Sequence, residues 1–98
     1  MRVTAITISA AQLAFEVSDT ESAPLNQCDC KQLPIVDVAD SGRVEIVDGF
    51  HRIAGMILAG ETAIVCLICD DDDVIADAAN AENAESQERA LAAIYAAA

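Results

Sequence analysis

This sequence has little positive charge. One lysine and four arginines stand against seventeen acidic residues, a formal net charge of −12. Phosphate contacts dominate the affinity of DNA-binding surfaces, and five basic residues cannot line a groove. The composition therefore argues against duplex DNA as a partner. The surplus of acid fits solubility, a salt-rich cytoplasm, a basic protein partner or mimicry of nucleic acid. Aromatics are scarcer still, with two phenylalanines, one tyrosine and no tryptophan. The 54% hydrophobic fraction is raised by alanine, so the expected core is aliphatic and modest. No apolar run is long enough to span a membrane. The opening residues, Met1 to Ile8, alternate like a strand and are too polar for the core of a signal peptide, so the cytoplasm is the expected location. The 98 residues suit one domain and are too few for two.

The four cysteines fall as Cys28-Asp-Cys30 and Cys66-x-x-Cys69. The second pair lies in the apolar run Ala63 to Cys69, which reads as a strand. Side chains three apart on a strand point to opposite faces, which makes a poor zinc chelate. Free thiols in a reducing compartment are the expected state, with zinc and a structural disulfide as the lesser readings.

Apolar spacing lays out the other elements. Residues 3 to 8 read as a strand, with Val3, Ala5, Ile6 and Ile8 supplying apolar contacts. Ser9 is placed to cap a helical turn. Residues 18 to 32 show no sustained period and read as loop with at most a turn of helix. Leu33 to Val38 and Arg43 to Val47 read as strands joined by a turn at 39 to 42, with Ile35, Val44 and Ile46 on one buried face. The run at 63 to 69 is apolar at nearly every position, as for a strand covered on both faces. Asp70 to Asp73 end that strand and open a helix, where acidic residues are favourable; one or two of these carboxylates could alternatively hold Mg²⁺ beside nucleotide phosphates. Residues 74 to 97 read as helix, broken near Asn80 or Asn83, with Leu91, Ile94, Tyr95 and Ala98 as a docking stripe.

Between the third and fourth strands comes Val44-Glu45-Ile46-Val47-Asp48-Gly49-Phe50-His51-Arg52, the stretch with the richest chemistry. It carries the single histidine. Phe50, Ile53, Ala54, Ile57 and Leu58 recur at helical spacing, Asp48 is a residue type that caps helices, and Gly60 sits where a helix ends in a left-handed residue. His51 and Arg52 then fall in a first turn, beside backbone N–H groups and the positive end of the helix dipole. That combination suits an anion, above all a phosphate.

Val47-Asp-Gly-Phe-His-Arg52, the following short helix, the Gly60-Glu-Thr62 turn and the apolar run at 63 to 69 resemble the ParB/sulfiredoxin-like superfamily. Leu33-Pro-Ile-Val36 and Ser41-Gly-Arg-Val44 are similar to the hairpin that precedes the turn in that family. The resemblance covers about residues 33 to 69. It implies an α/β (α+β) fold, a small mixed β-sheet with packed helices, in one domain over residues 1 to 98. It also implies a nucleotide (ATP, ADP or CTP, with or without Mg²⁺) or another phosphate ligand held by Gly49, Phe50, His51 and Arg52. Some members phosphorylate a small substrate such as free serine, which would make Asp48 and His51 the catalytic candidates. Glu82-Asn83, with Arg89 beyond it, resembles a helix that helps hold phosphates in ParB-like proteins. Three departures matter. Sulfiredoxins place a nucleophilic cysteine where Phe50 stands, so their reductase chemistry is excluded. A typical ParB turn carries two arginines where this chain has His51 and Arg52, so phosphate should bind more weakly, and better at acid pH, where histidine gains a proton. These 98 residues contain no helix-turn-helix after the turn, so partition-site recognition by them is not expected.

The leading expectation is a nucleotide-binding module with phosphotransfer or nucleotide hydrolysis. The alternative is a non-enzymatic interaction or DNA-mimic module with a decayed site. It would meet a protein partner through its acidic face or its C-terminal helix. A nuclease fits the charge least.

Overall fold

The computed structural model describes residues 1–17, 33–80 and 83–98. The expected loop at 18 to 32, with Cys28 and Cys30, and Glu82 lie outside the described residues. The elements run β1 (Val3–Ser9), α1 (Ala10–Ala14), β2 (Ile35–Val38), β3 (Val44–Asp48), α2 (Phe50–Leu58), β4 (Ala63–Cys69), α3 (Asp72–Asn80) and α4 (Ala84–Ala97). The strands form one four-stranded mixed sheet in the order β1-β4-β2-β3. β1 and β4 are antiparallel, as are β2 and β3, while β2 and β4 are parallel. The α+β architecture is as the sequence implies.

Helices cover both faces of the sheet, which explains the near-continuous apolar character of the inner strand β4. Ile64 and Cys66 join Ile8, Leu13, Val36, Ile46, Ile53 and Ala54 on the face under α1 and α2. Leu67 joins Ile35, Ile75, Ala78, Ala90 and Ile94 on the face under α3 and α4. Cys66 and Cys69 accordingly lie in opposite layers. Each fully buried leucine or isoleucine contributes roughly 1.5 to 3 kcal/mol relative to exposure. With so few aromatics, many such contributions hold the fold.

Several local expectations change. Ile35 does not share a face with Val44 and Ile46. Val36, not Ile35, pairs with Ile46 and takes the inner position, so its neighbour Ile35 points the other way, toward α3 and α4, and a register shift between the two sets Ile35 opposite Asp48. One residue of slip exchanges faces because strand side chains alternate. Strand β2 starts at Ile35 rather than Leu33, since Pro34 has no N–H to give; its carbonyl accepts the Leu67 N–H at 2.8 Å. Strand β3 runs from Val44 to Asp48, one residue beyond the expected end. Ala5 is exposed, leaving Val3, Ile6 and Ile8 as the apolar contacts of β1. Ser9 does precede α1, but its side chain makes no capping hydrogen bond. Ala90 replaces Ala98 in the buried stripe of α4.

The last two helices divide where the asparagines suggested. Asn83 Oδ1 accepts the Ser86 N–H at 2.8 Å and starts α4. Asp71 Oδ1 accepts the N–H groups of Asp73 and Val74 at 3.1 and 3.3 Å and so caps α3. Asp72 and Asp73 occupy the first turn, the favourable end of the dipole for a carboxylate.

Candidate functional site

Gly49 sets the geometry of the strand-to-helix turn. Its φ of +98° is left-handed, and a Cβ there would come 2.7 Å from Pro34 Cβ. Both constraints call for glycine, so β3 can pass directly into α2 against the start of β2. Gly49, not Asp48, is the N-cap, and it caps with backbone only: Ile53 N–H reaches the Gly49 carbonyl at 3.0 Å. At the other end, Gly60 (φ +91°) donates to the Ile57 carbonyl and Glu61 donates to that of Met56, both at 3.0 Å. That pair of bonds is the left-handed termination expected of Gly60.

Released from capping, Asp48 binds across the fold. Tyr95 O–H, on α4, donates to Asp48 Oδ2 at 2.6 Å. Arg52 Nη2 lies 3.6 Å from the same oxygen and donates to the Tyr95 oxygen at 3.4 Å. The Arg52 side chain is only 13% exposed and that of Asp48 33%. Burial, reinforced by the hydrogen bond to the Asp48 carboxylate and opposed by Arg52, pushes the Tyr95 hydroxyl up to about 12. Three elements, β3, α2 and α4, are thus tied at one cluster.

The expected site residues separate into two groups. Asp48 and Arg52 meet inside this cluster, one turn apart. Phe50 and His51 stand on the outward side of the same turn, Phe50 36% exposed and His51 exposed. Phe50 therefore does not extend the buried stripe of α2, and neither does Leu58, at 76% exposed; Ile53, Ala54 and Gly55 are its buried residues. Tyr95 was foreseen only as part of an apolar stripe. The available signal was its hydroxyl, since a buried tyrosine O–H needs a hydrogen-bond partner.

The other candidates lie apart from this turn. Asn83 is engaged as the cap of α4, and Arg89 pairs with Glu85 at 3.3 Å on the exposed side of that helix. Cys66 and Cys69 are free thiols, and burial pushes Cys66 up to about 11, which keeps it protonated and unreactive at neutral pH. Among the described residues, no group of three or more His, Cys, Asp or Glu side chains is arranged to hold a metal ion. No helix formed by them is long and apolar enough to cross a membrane.

Compared with protein-family models, curated proteins and solved structures, the chain matches none.

Proposed function

We propose that the chain is a phosphate-binding domain of the ParB/sulfiredoxin type, taking a nucleotide such as ATP, ADP or CTP, with or without Mg²⁺, at the start of α2. One observation carries this reading. The first turn of α2, like that of the five-residue α1, holds no acidic residue, whereas α3 opens with Asp72 and Asp73 and α4 with Glu85; only α2 adds a histidine and an arginine there. In so acidic a chain, the one helix start that begins with His51 and Arg52 and lacks a side-chain cap is the one suited to an incoming oxyanion. Gly49 lets the chain pass directly from β3 into α2, Phe50 offers an apolar edge, and His51 is on the accessible side. Arg52 supplies fixed charge from a braced position. Phosphotransfer or hydrolysis would fall to Asp48 and His51. Both contacts of the Asp48 carboxylate land on Oδ2, so a base role would use Oδ1.

The bracing of Arg52 also favours a second reading. An arginine already joined to Asp48 and Tyr95 has a structural reason to be there without any ligand. On that reading the chain is a non-enzymatic module that meets a basic protein through its acidic face or α4.

Calorimetric titration of ATP, ADP and CTP, with and without Mg²⁺, separates the two. The expected result is binding to wild type that Arg52→Ala weakens roughly ten- to a hundredfold, because a charge-assisted contact is worth about 1.5 to 3 kcal/mol. His51→Ala should weaken it less. Melting curves run alongside confirm that both variants are folded. Equal binding by wild type and Arg52→Ala would put the ligand elsewhere. No binding at millimolar nucleotide would leave the interaction module.

A further inference from the structure

The two edges of the sheet are built differently. At one end, β3 is five residues long, carries Glu45 and Asp48, and pairs with β2 through a register shift. Short length, charge and irregular pairing are the devices by which natural edge strands avoid unwanted partners. At the other end, β1 has none of them. Its seven residues, Val3-Thr-Ala-Ile-Thr-Ile-Ser9, contain no ionisable group, proline or glycine. All seven pair with β4 in unbroken register. Five are β-branched, the type that best fits a pleated surface. Among the described residues no strand pairs with its outer edge. Thr4, Ala5 and Thr7 are exposed, and Val65, opposite Thr7 on β4, is 43% exposed and extends the uncharged patch.

An uncharged strip on a chain of net charge −12 has little with which to select a basic partner. It does match itself. An antiparallel pairing of two copies about Ile6 sets Ile6 against Ile6, Ala5 against Thr7 and Thr4 against Ile8, with no charge opposed at any position. The contact is isologous and closed, because each copy uses the one edge left unprotected among the described residues.

We propose that β1 is a homodimerisation strand, pairing antiparallel with β1 of a second copy and joining two four-stranded sheets into one. Backbone hydrogen bonds supply the attraction, and the self-repulsion of two acidic bodies opposes it. The dimer therefore strengthens as salt screens that repulsion, opposite to an interface held by ion pairs. The inference is independent of any ligand at α2.

Sedimentation velocity across a dilution series tests it. At about 100 µM protein and about 0.5 M salt, the expected mass is twice the 10.2 kDa of the chain, falling toward monomer on dilution and at low salt. The double variant Ala5→Glu/Thr7→Glu sets like charges opposite each other across the dyad and should be monomeric throughout. Ala92→Glu/Ala93→Glu, the same added charge on the exposed side of α4, should still dimerise. Hydrogen exchange on wild type gives a second readout, with amides of residues 3 to 9 better protected at high concentration. A wild type that stays monomeric at about 1 mM and high salt overturns the proposal. So does a dimer that persists in Ala5→Glu/Thr7→Glu or forms without added protection in β1.

Discussion

At the scale of single residues, Tyr95 shows how a side chain acquires its chemistry from the fold. Its hydroxyl gives its proton to Asp48 and accepts from Arg52, and burial disfavours the phenolate. Phenolate absorbance reports on this residue alone, because the chain has one tyrosine and no tryptophan. The expected titration midpoint lies near 12, against the ordinary 10.0. The consequence for stability has a definite sign. A group whose pKa is raised in the fold contributes stability that is complete below its unfolded value and lost as pH rises through the folded one. For Tyr95 that window runs from about 10 to about 12. The buried Cys66 thiol adds an earlier loss, from about 9 to about 11. Urea midpoints measured across this range should fall in wild type. Tyr95→Phe should lose stability at neutral pH and show less of the further fall above pH 10. A midpoint near 10 for the phenolate would mean that neither the burial of the hydroxyl nor its contact to Asp48 persists in solution.

At the scale of elements, much of the fold was legible because it depends on local period. The strand at 63 to 69, the helix after Gly49 and the break at Asn83 each follow from apolar spacing or capping chemistry. What was not legible depends on contacts distant in sequence. Asp48 is a good helix cap in isolation, but Tyr95, forty-seven positions away, gives its carboxylate a different partner. The shift between Ile35 and Val36 likewise belongs to the pairing of β2 and leaves no trace in its composition. The same hairpin holds a charge conflict that only the register reveals: Asp37 stands directly opposite Glu45. Like charges in that position are destabilising, and the Arg43–Glu45 contact, at 3.8 Å between exposed side chains, offsets little of it. Glu45→Lys should therefore stabilise the protein by about 0.5 kcal/mol, seen as a higher urea midpoint with unchanged slope. An unchanged or lower midpoint would show that solvent already screens the pair.

At the scale of the whole molecule, the balance between attraction and repulsion is set by a net charge of −12 on a body with a radius of gyration of 12.9 Å. Among the described residues, the ion pairs on the surface that could offset it are few and weak. Arg43 lies 3.9 Å from Glu16 and 3.8 Å from Glu45, and Arg89 lies 3.3 Å from Glu85. The arginine side chains in these pairs are at least 70% exposed, where ion pairs contribute little. The Arg52–Asp48 pair is more buried and therefore less sensitive to salt. Added salt acts on both sides, weakening exposed pairs and screening repulsion among the surplus carboxylates. With so few exposed pairs to lose, screening should win. The melting temperature is expected to rise steadily from low to high sodium chloride, measured at a protein concentration dilute enough to keep the chain monomeric. The same field repels polyanions, so duplex DNA should bind weakly at physiological salt in a gel shift. A melting temperature that falls with salt would show that the ion pairs outweigh the repulsion. Submicromolar affinity for DNA would require a basic surface that the five basic residues do not supply.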